Sequence, residues 1–258
     1  MYRKAIVSFL DVLGTKANRD FEAKLRVHRA FHESMRDFAL RERAEAAYFR
    51  KAFAFSDCVY LVHAHRSDDS QSLERDDALI QTALFNTTLT TLRLLNEGHF
   101  VRGGIAFGDV FMDELGFFGP AFEKAYQLEC EAGGMPRLVV EPELGERARA
   151  YSIRSHIAIN EQLPASMRRT TLPELVKVDG EVRHLNPLYI LEMEGRIDMK
   201  GLELTHEGLV SALRAKATSQ LGDVSESVRE KSRWMLEFVD GSAVSLMRGG
   251  RSHAWIPT

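Results

Sequence analysis

Two aspartates carry the most suggestive chemistry in this chain. Asp11 closes the apolar run Ala5-Ile6-Val7-Ser8-Phe9-Leu10, and Asp57 stands with Ser56 between two β-prone runs, Tyr48 to Phe55 and Cys58 to His63. The first run reads as a buried strand and the other two as a tight hairpin with an acidic tip, so both carboxylates can meet if the elements are neighbours. Paired carboxylates are hard oxygen donors. They suit Mg²⁺ or Mn²⁺, which bind through one or two carboxylates and complete their shell with water and substrate phosphates. Taken singly, each aspartate also fits an ordinary role in a turn.

Other reactive arrangements are missing from the sequence. His28 and His32 share a helix face, but Arg29 follows His28, so the His-Glu-x-x-His motif of a zinc helix is absent. His63 and His65 share one strand face near its polar end and read in the same way, as a solvated or half-buried pair. Gly103-Gly104 lacks the Gly-x-Gly-x-x-Gly context of a dinucleotide fold, and there is no Walker-type Gly-Lys-Ser/Thr. Ser8, Ser56 and the two cysteines have neither an elbow motif nor an adjacent histidine, which argues against a hydrolytic triad. Cys58 and Cys130 are too few for a disulfide framework or a zinc cage and read as small buried hydrophobes in a reducing compartment.

The elements that must hold the aspartates follow from hydrophobic spacing. Phe21, Leu25, Phe31, Met35 and Phe38 recur among charges, predicting an amphipathic helix that runs on to about Ala46. After the hairpin and the polar segment Ser67 to Asp77, Leu79, Ala83, Leu84, Leu92 and Leu95 predict a long helix stopped by Gly98. Val101 to Val110 reads as a strand whose Gly103, Gly104 and Gly108 mark a bulge or a close approach to the backbone. Gly119-Pro120 opens a helix to about Ala132, Gly133-Gly134 closes it, and Leu138-Val139-Val140 resumes a strand. Glu174 to Val178 and Leu188 to Met193 read as a strand pair around Asp179-Gly180, and Thr205 to Phe238 as helix with a break near Gly222-Asp223. This order predicts an α+β domain with helices on a mainly antiparallel sheet. A change in composition at Glu194-Gly195 divides a body, residues 1–194, from a helical C-terminal extension, residues 195–258.

Composition narrows the function classes. The 258 residues are 45% hydrophobic and carry 34 Lys+Arg against 37 Asp+Glu, a net charge of −3, so disorder is excluded as the main theme. Without a block of Lys/Arg, the footprint of a dedicated nucleic-acid binder is missing. No apolar run reaches the roughly 18 residues of a bilayer span, and the stretch Met1 to Gly14 is wrongly built for export, so a cytoplasmic protein is expected.

Several segments then line up in a specific order: Phe9-Leu10-Asp11-Val12-Leu13-Gly14, Phe55-Ser56-Asp57, Arg102-Gly103-Gly104-Ile105-Ala106-Phe107-Gly108, and Gly119 followed by Ala125 and Leu128-Glu129. In this order, over roughly Ala5 to Met193, the sequence resembles the class III nucleotidyl cyclases. Within them it is most similar to the bacterial pyrimidine cyclases of anti-phage (Pycsar) defence, through Ser56-Asp57, Arg102 to Ile105, Phe118-Gly119-Pro120-Ala121, Ala125-Tyr126 and Pro136-Arg137.

The resemblance implies a ferredoxin-like catalytic domain, a homodimer with active sites at the subunit boundary, and conversion of UTP, or alternatively CTP, into a 3′,5′-cyclic monophosphate and pyrophosphate. The cyclic product would then activate a separate effector protein. Asp11 and Asp57 would hold two Mn²⁺ or Mg²⁺ ions, with the Val12 carbonyl as a further ligand. The nucleotide would lie against Phe9, Val12, Leu13 and Gly14, with the loop Val12 to Lys16 around its phosphates. Two features depart from the family pattern. Glu123 and Gln127 stand where many cyclases place an Asn and an Arg, leaving Arg137 or Lys177 to supply positive charge. Phe53 and the Leu115-Gly116 step stand where purine cyclases read the base, so a smaller pyrimidine pocket is expected, with Tyr48 or Arg50 offering a hydrogen bond. A cyclase-like module that binds nucleotide without turnover is the alternative.

Overall fold

The computed structural model describes residues 1–15, 19–39, 48–66, 73–131, 134–169, 171–199 and 202–245. The sequence-based expectations for Lys16, for residues 40–46 of the first helix and for Gly133 lie outside these residues.

In chain order the elements are β1 (Arg3–Val12), α1 (Phe21–Ala39), β2 (Tyr48–Phe55), β3 (Cys58–His65), α2 (Leu73–Asn96), β4 (Val101–Met112), β5 (Phe117–Phe118), α3 (Pro120–Glu131), β6 (Leu138–Val140) and α4 (Pro142–Gln162). They continue as β7 (Val176–Asp179), β8 (Val182–Leu185), α5 (Tyr189–Glu194), β9 (Arg196–Met199), β10 (Leu202–Thr205), α6 (His206–Gln220) and α7 (Glu226–Asp240). The main sheet runs β2-β3-β1-β4-β6-β8-β7 with β5 paired on β4, and only β4–β6 is parallel among its pairs. The fold is α+β with a mixed, mostly antiparallel sheet. Its first six elements, through β4, form a split β-α-β arrangement with β1 at the centre.

Strand alternation explains why β1 is nearly all apolar. Ile6, Leu10 and Val12 face one layer with Val27 and Phe31 of α1, Leu79 and Leu84 of α2, and Leu144 of α4. Ala5, Val7 and Phe9 face the opposite layer with Ala121, Phe122 and Ala125 of α3. A strand buried on both faces needs large apolar side chains in both phases, and each such Leu or Phe contributes about 1.5–3 kcal/mol on burial. The strand glycines mark a close approach: a Cβ on Gly104 would stand 2.1 Å from the Ala125 carbonyl oxygen, so glycine there lets α3 settle on β4.

The second half differs from the sequence-based reading. Val182–Leu185, not Leu188 to Met193, pairs with β7 across the Asp179-Gly180 turn, while Leu188 to Met193 enters helix α5. A six-residue apolar run fits either state. Here the Asn186 side-chain oxygen accepts the Leu188 N–H at 3.1 Å, and Gly195, at φ 72°, stops the helix. Helix α4 and the β9–β10 hairpin had no counterpart in that reading. After Gly195, Ile197, Leu202, Leu209, Leu213 and Met235 share a core with Leu92 and Leu95 of α2 and Leu191 of α5. Among the described residues, no helix is long and apolar enough to cross a membrane.

Two histidines are sealed inside this framework. Burial, with the Arg50 charge adding to it, pushes His63 from the ordinary 6.5 down to about 3. Burial likewise lowers His184 to about 4, with Arg137 and Lys177 acting in the same direction and the Leu185 carbonyl and Asp179 opposing. Both are depressed below their unfolded value, so the unfolded chain binds protons more readily below pH 6.5 and stability falls with pH. Each site is expected to remove about 2 kcal/mol between pH 7 and pH 5. Urea midpoints at the two pH values measure this, and His63→Leu should flatten the dependence by about half.

Candidate functional site

Register brings the site together. Asp11 pairs with Cys58 on β3 and with Arg102 on β4, so Cys58, Asp11 and Arg102 form one row across three strands, on the face that carries α3. The hairpin turn places Asp57 beside this row, and the Val12 N–H donates to the Asp57 carbonyl at 3.0 Å. Ser56 takes φ 55°, the left-handed conformation that the tight two-residue turn imposes on it. Donor atoms of Asp11, Asp57 and Cys58 lie within 4.8 Å of one another.

Polar partners fix both carboxylates. Arg102 Nη2 lies 2.7 Å from Asp11 Oδ2, and its Nε lies 2.8 Å from Glu129 Oε1 of α3. Burial disfavours the guanidinium charge, but the hydrogen bond and charge of Asp11 and the charge of Glu129 outweigh it and raise Arg102 above its ordinary value. The Thr15 hydroxyl stands between Asp57 Oδ2 and the Val12 carbonyl oxygen, 3.1 Å from the latter, and can give its one proton to either, so that carbonyl and the Asp57 carboxylate lie side by side. These groups line a cavity of about 590 Å³, closed by Phe9, Lys24, Phe55, Tyr126 and Glu129. Three carboxylates, Asp11, Asp57 and Glu129, and the Cys58 thiol beside Lys24 and Arg102 form a mouth able to hold a divalent cation and a phosphorylated ligand together.

The structure unites some of the expected site residues and separates others. Asp11, Asp57 and Phe9 line the cavity. Gly14 makes the exposed turn after β1 at φ 83°, whereas the Leu13 side chain packs into the core shared with α2 and α6. Tyr48 packs against the layer of Ile6 and Leu10, and Arg50 pairs in register with His63, whose ring meets Asn86 of α2 at 3.3 Å. Both therefore belong to the sheet face opposite Asp11. Phe53 is on the Asp11 face but two strands away, where it joins Phe117, Tyr60 and Phe9 in an aromatic row with centroids 4.4 to 5.2 Å apart. Lys177 lies on β7, four strand spacings or about 19 Å across the sheet from β1, and pairs with Glu192 at 2.9 Å. Arg137 pairs with Asp179 at 2.9 Å, and Gln127 donates to Glu131 at 2.6 Å. Glu123 is exposed on α3, and Leu115 is exposed in the loop between β4 and β5.

Arg102, Glu129, Lys24, Thr15 and Cys58 enter the site without an individual role expected of them there, although Thr15 lies in the loop Val12 to Lys16 expected around the phosphates. Neither cysteine is the buried hydrophobe expected: Cys58 is half-buried at the carboxylates and Cys130 is exposed. Pairing Asp11 with position 58 on one side and position 102 on the other is the signal that finds two of the five, and it requires the register. Compared with models of known protein families and with curated proteins, the chain gives no match.

Proposed function

We propose that the chain is a nucleotidyl cyclase that closes a pyrimidine nucleoside triphosphate, UTP in preference to CTP, into its 3′,5′-cyclic monophosphate with release of pyrophosphate. The observation that carries this reading is the convergence of Asp11 and Asp57 at one cavity mouth, with their donor atoms within 4.8 Å. The carboxylates fit Mn²⁺ or Mg²⁺, and the Val12 carbonyl beside Asp57 is a further hard donor. When bound, such ions favour ionisation of the ribose 3′-hydroxyl and offset triphosphate charge during in-line displacement at the α-phosphorus.

The chain's own residues supply the rest. Lys24 and Arg102 line the cavity and are the cations that meet phosphate oxygens within one protomer. Phe9 and Tyr126, with ring centroids 5.5 Å apart, give the cavity an apolar wall that excludes water and offers a face to a base. The split β-α-β order is that of a ferredoxin-like domain, which agrees with a class III cyclase core. Exposed Phe55 and Tyr126 at the cavity rim favour a subunit boundary there, as expected of a homodimer. The pyrimidine preference rests on the likeness to the Pycsar cyclases and on Phe53 in the place of a purine-reading polar residue. On the same likeness the cyclic nucleotide acts as a second messenger that activates a separate effector during phage infection.

Exposed Glu123, and Gln127 tied to Glu131, favour a second reading: a cyclase-like module that binds nucleotide without turnover. Incubating the protein with Mn²⁺ and each of the four nucleoside triphosphates separates the two. A cyclic pyrimidine nucleotide is the expected product, a cyclic purine product would refute the base assignment, and no product from any triphosphate would leave the binding module.

A further inference from the structure

We propose that Cys58 is a ligand of the cation centre and biases it toward thiophilic divalent ions such as Zn²⁺ or Cd²⁺ over Mg²⁺. This rests on the reading of Asp11 and Asp57 as metal ligands and adds a third donor of different chemistry. The two carboxylates are oriented by partners on their far sides. Arg102 takes Oδ2 of Asp11 and Thr15 takes Oδ2 of Asp57. Each Oδ1 then stands near the same sulfur, with Cys58 Sγ 3.4 Å from Asp11 Oδ1 and 3.9 Å from Asp57 Oδ1. With zinc–oxygen and zinc–sulfur bonds of about 2.1 and 2.3 Å, a tetrahedral angle gives an O···S edge of about 3.6 Å. The two observed separations bracket that edge, so two of the three edges of a tetrahedral face are already near their ligand lengths, and the third, between the carboxylates, lies within 4.8 Å.

Softness then decides preference. Mg²⁺ gains almost nothing from a thiol and keeps its water, whereas a thiophilic ion displaces the thiol proton and forms a metal–sulfur bond. The register fixes the sulfur in place, because Cys58 pairs with Asp11 across β1 and β3 and shares its sheet face. A serine at this position would keep the hairpin and lose the soft donor.

Titration of the full chain with Cd²⁺ alone, followed by the ultraviolet thiolate-to-metal charge-transfer band, tests the assignment. The band should appear in the wild type and in Cys130→Ser and vanish in Cys58→Ser and Cys58→Ala. Calorimetry should show Cd²⁺ affinity falling at least about 10-fold in Cys58→Ser while Mn²⁺ affinity changes far less. Persistence of the band in both Cys58 variants would overturn the proposal, as would Cd²⁺ binding to the wild type with no band. The latter result leaves the aspartates as ligands and removes only the thiol. If the wild type binds neither Mn²⁺ nor Cd²⁺, the metal reading fails and takes this inference with it.

Discussion

Asp57→Asn is expected to lower cyclic nucleotide formation by at least about 10²-fold, the loss that follows removal of one group from a charge-stabilising site. The substitution isolates charge from shape. Asparagine is isosteric, is well suited to a hairpin turn, and keeps a side-chain oxygen able to accept the Thr15 hydroxyl. The backbone bond from Val12 N–H to the carbonyl of residue 57, 3.0 Å long, does not involve the side chain at all. The melting temperature should therefore stay within about 2 °C of the wild type. What disappears is one negative charge facing Asp11 and the cavity. Glu123→Ala is the matched control, because Glu123 is exposed on α3 and should leave turnover unchanged on this reading. Product formation by Asp57→Asn at the wild-type rate would retire the two-aspartate mechanism, whichever base the enzyme prefers.

The parts of the fold that could be read from the sequence are those with one dominant local signal. The continuous apolar run before Asp11 gives a strand buried on both faces. Ser56-Asp57 between β-prone runs gives the hairpin, and Gly119-Pro120 opens α3 where expected. The break at Gly222-Asp223 likewise falls between α6 and α7. Leu188 to Met193 went the other way because a short apolar run has no period long enough to separate strand from helix. The contacts that accompany the helix, the Asn186 side chain accepting the Leu188 N–H and the burial of Glu192 beside Lys177, leave no mark on the hydrophobic pattern.

The site divides along the same line. Asp11 and Asp57 could be picked out because one lies at the last-but-one position of β1 and the other in the β2–β3 turn, and strand ends and their turns are where a sheet presents side chains to a ligand. Tyr48 and Arg50 were misplaced by parity alone. Phe49 and Phe53 share the Asp11 face, so Tyr48, Arg50 and the other even-numbered positions of β2 face α1 and α2. Lys177 is a strand residue with the right charge on the wrong strand, since sequence distance says nothing about a position four strands away in the sheet order. Arg102 illustrates the converse: nothing near it in the chain predicts Asp11, and only the pairing of β1 with β4 reveals the contact.

That contact carries the second large expectation. Arg102→Met should destabilise the protein by about 3 kcal/mol, the low end of the cost of removing one partner from a buried ion pair. Asp11 and Glu129 are only 7% and 5% exposed, and both point at the same guanidinium, so its loss leaves two carboxylates with little solvent to replace it. The low end applies because the Arg102 side chain itself is 28% exposed and water screens part of the interaction. At this chain length the melting temperature should fall by about 6–12 °C. A divalent ion bound to Asp11 can take over part of the lost positive charge. In the wild type Arg102 already neutralises Asp11 from its Oδ2 side, whereas in Arg102→Met a bound ion is the main positive charge left beside Asp11 and Glu129, so saturating Mn²⁺ should raise the variant's midpoint more than the wild type's. Adding Glu129→Gln to Arg102→Met removes one of the two uncompensated charges and should recover part of the stability. A single variant as stable as the wild type, and no more responsive to Mn²⁺, would mean that the guanidinium is not the resident counter-ion of the cavity. In that case its approach to a phosphate would lose its structural basis as well.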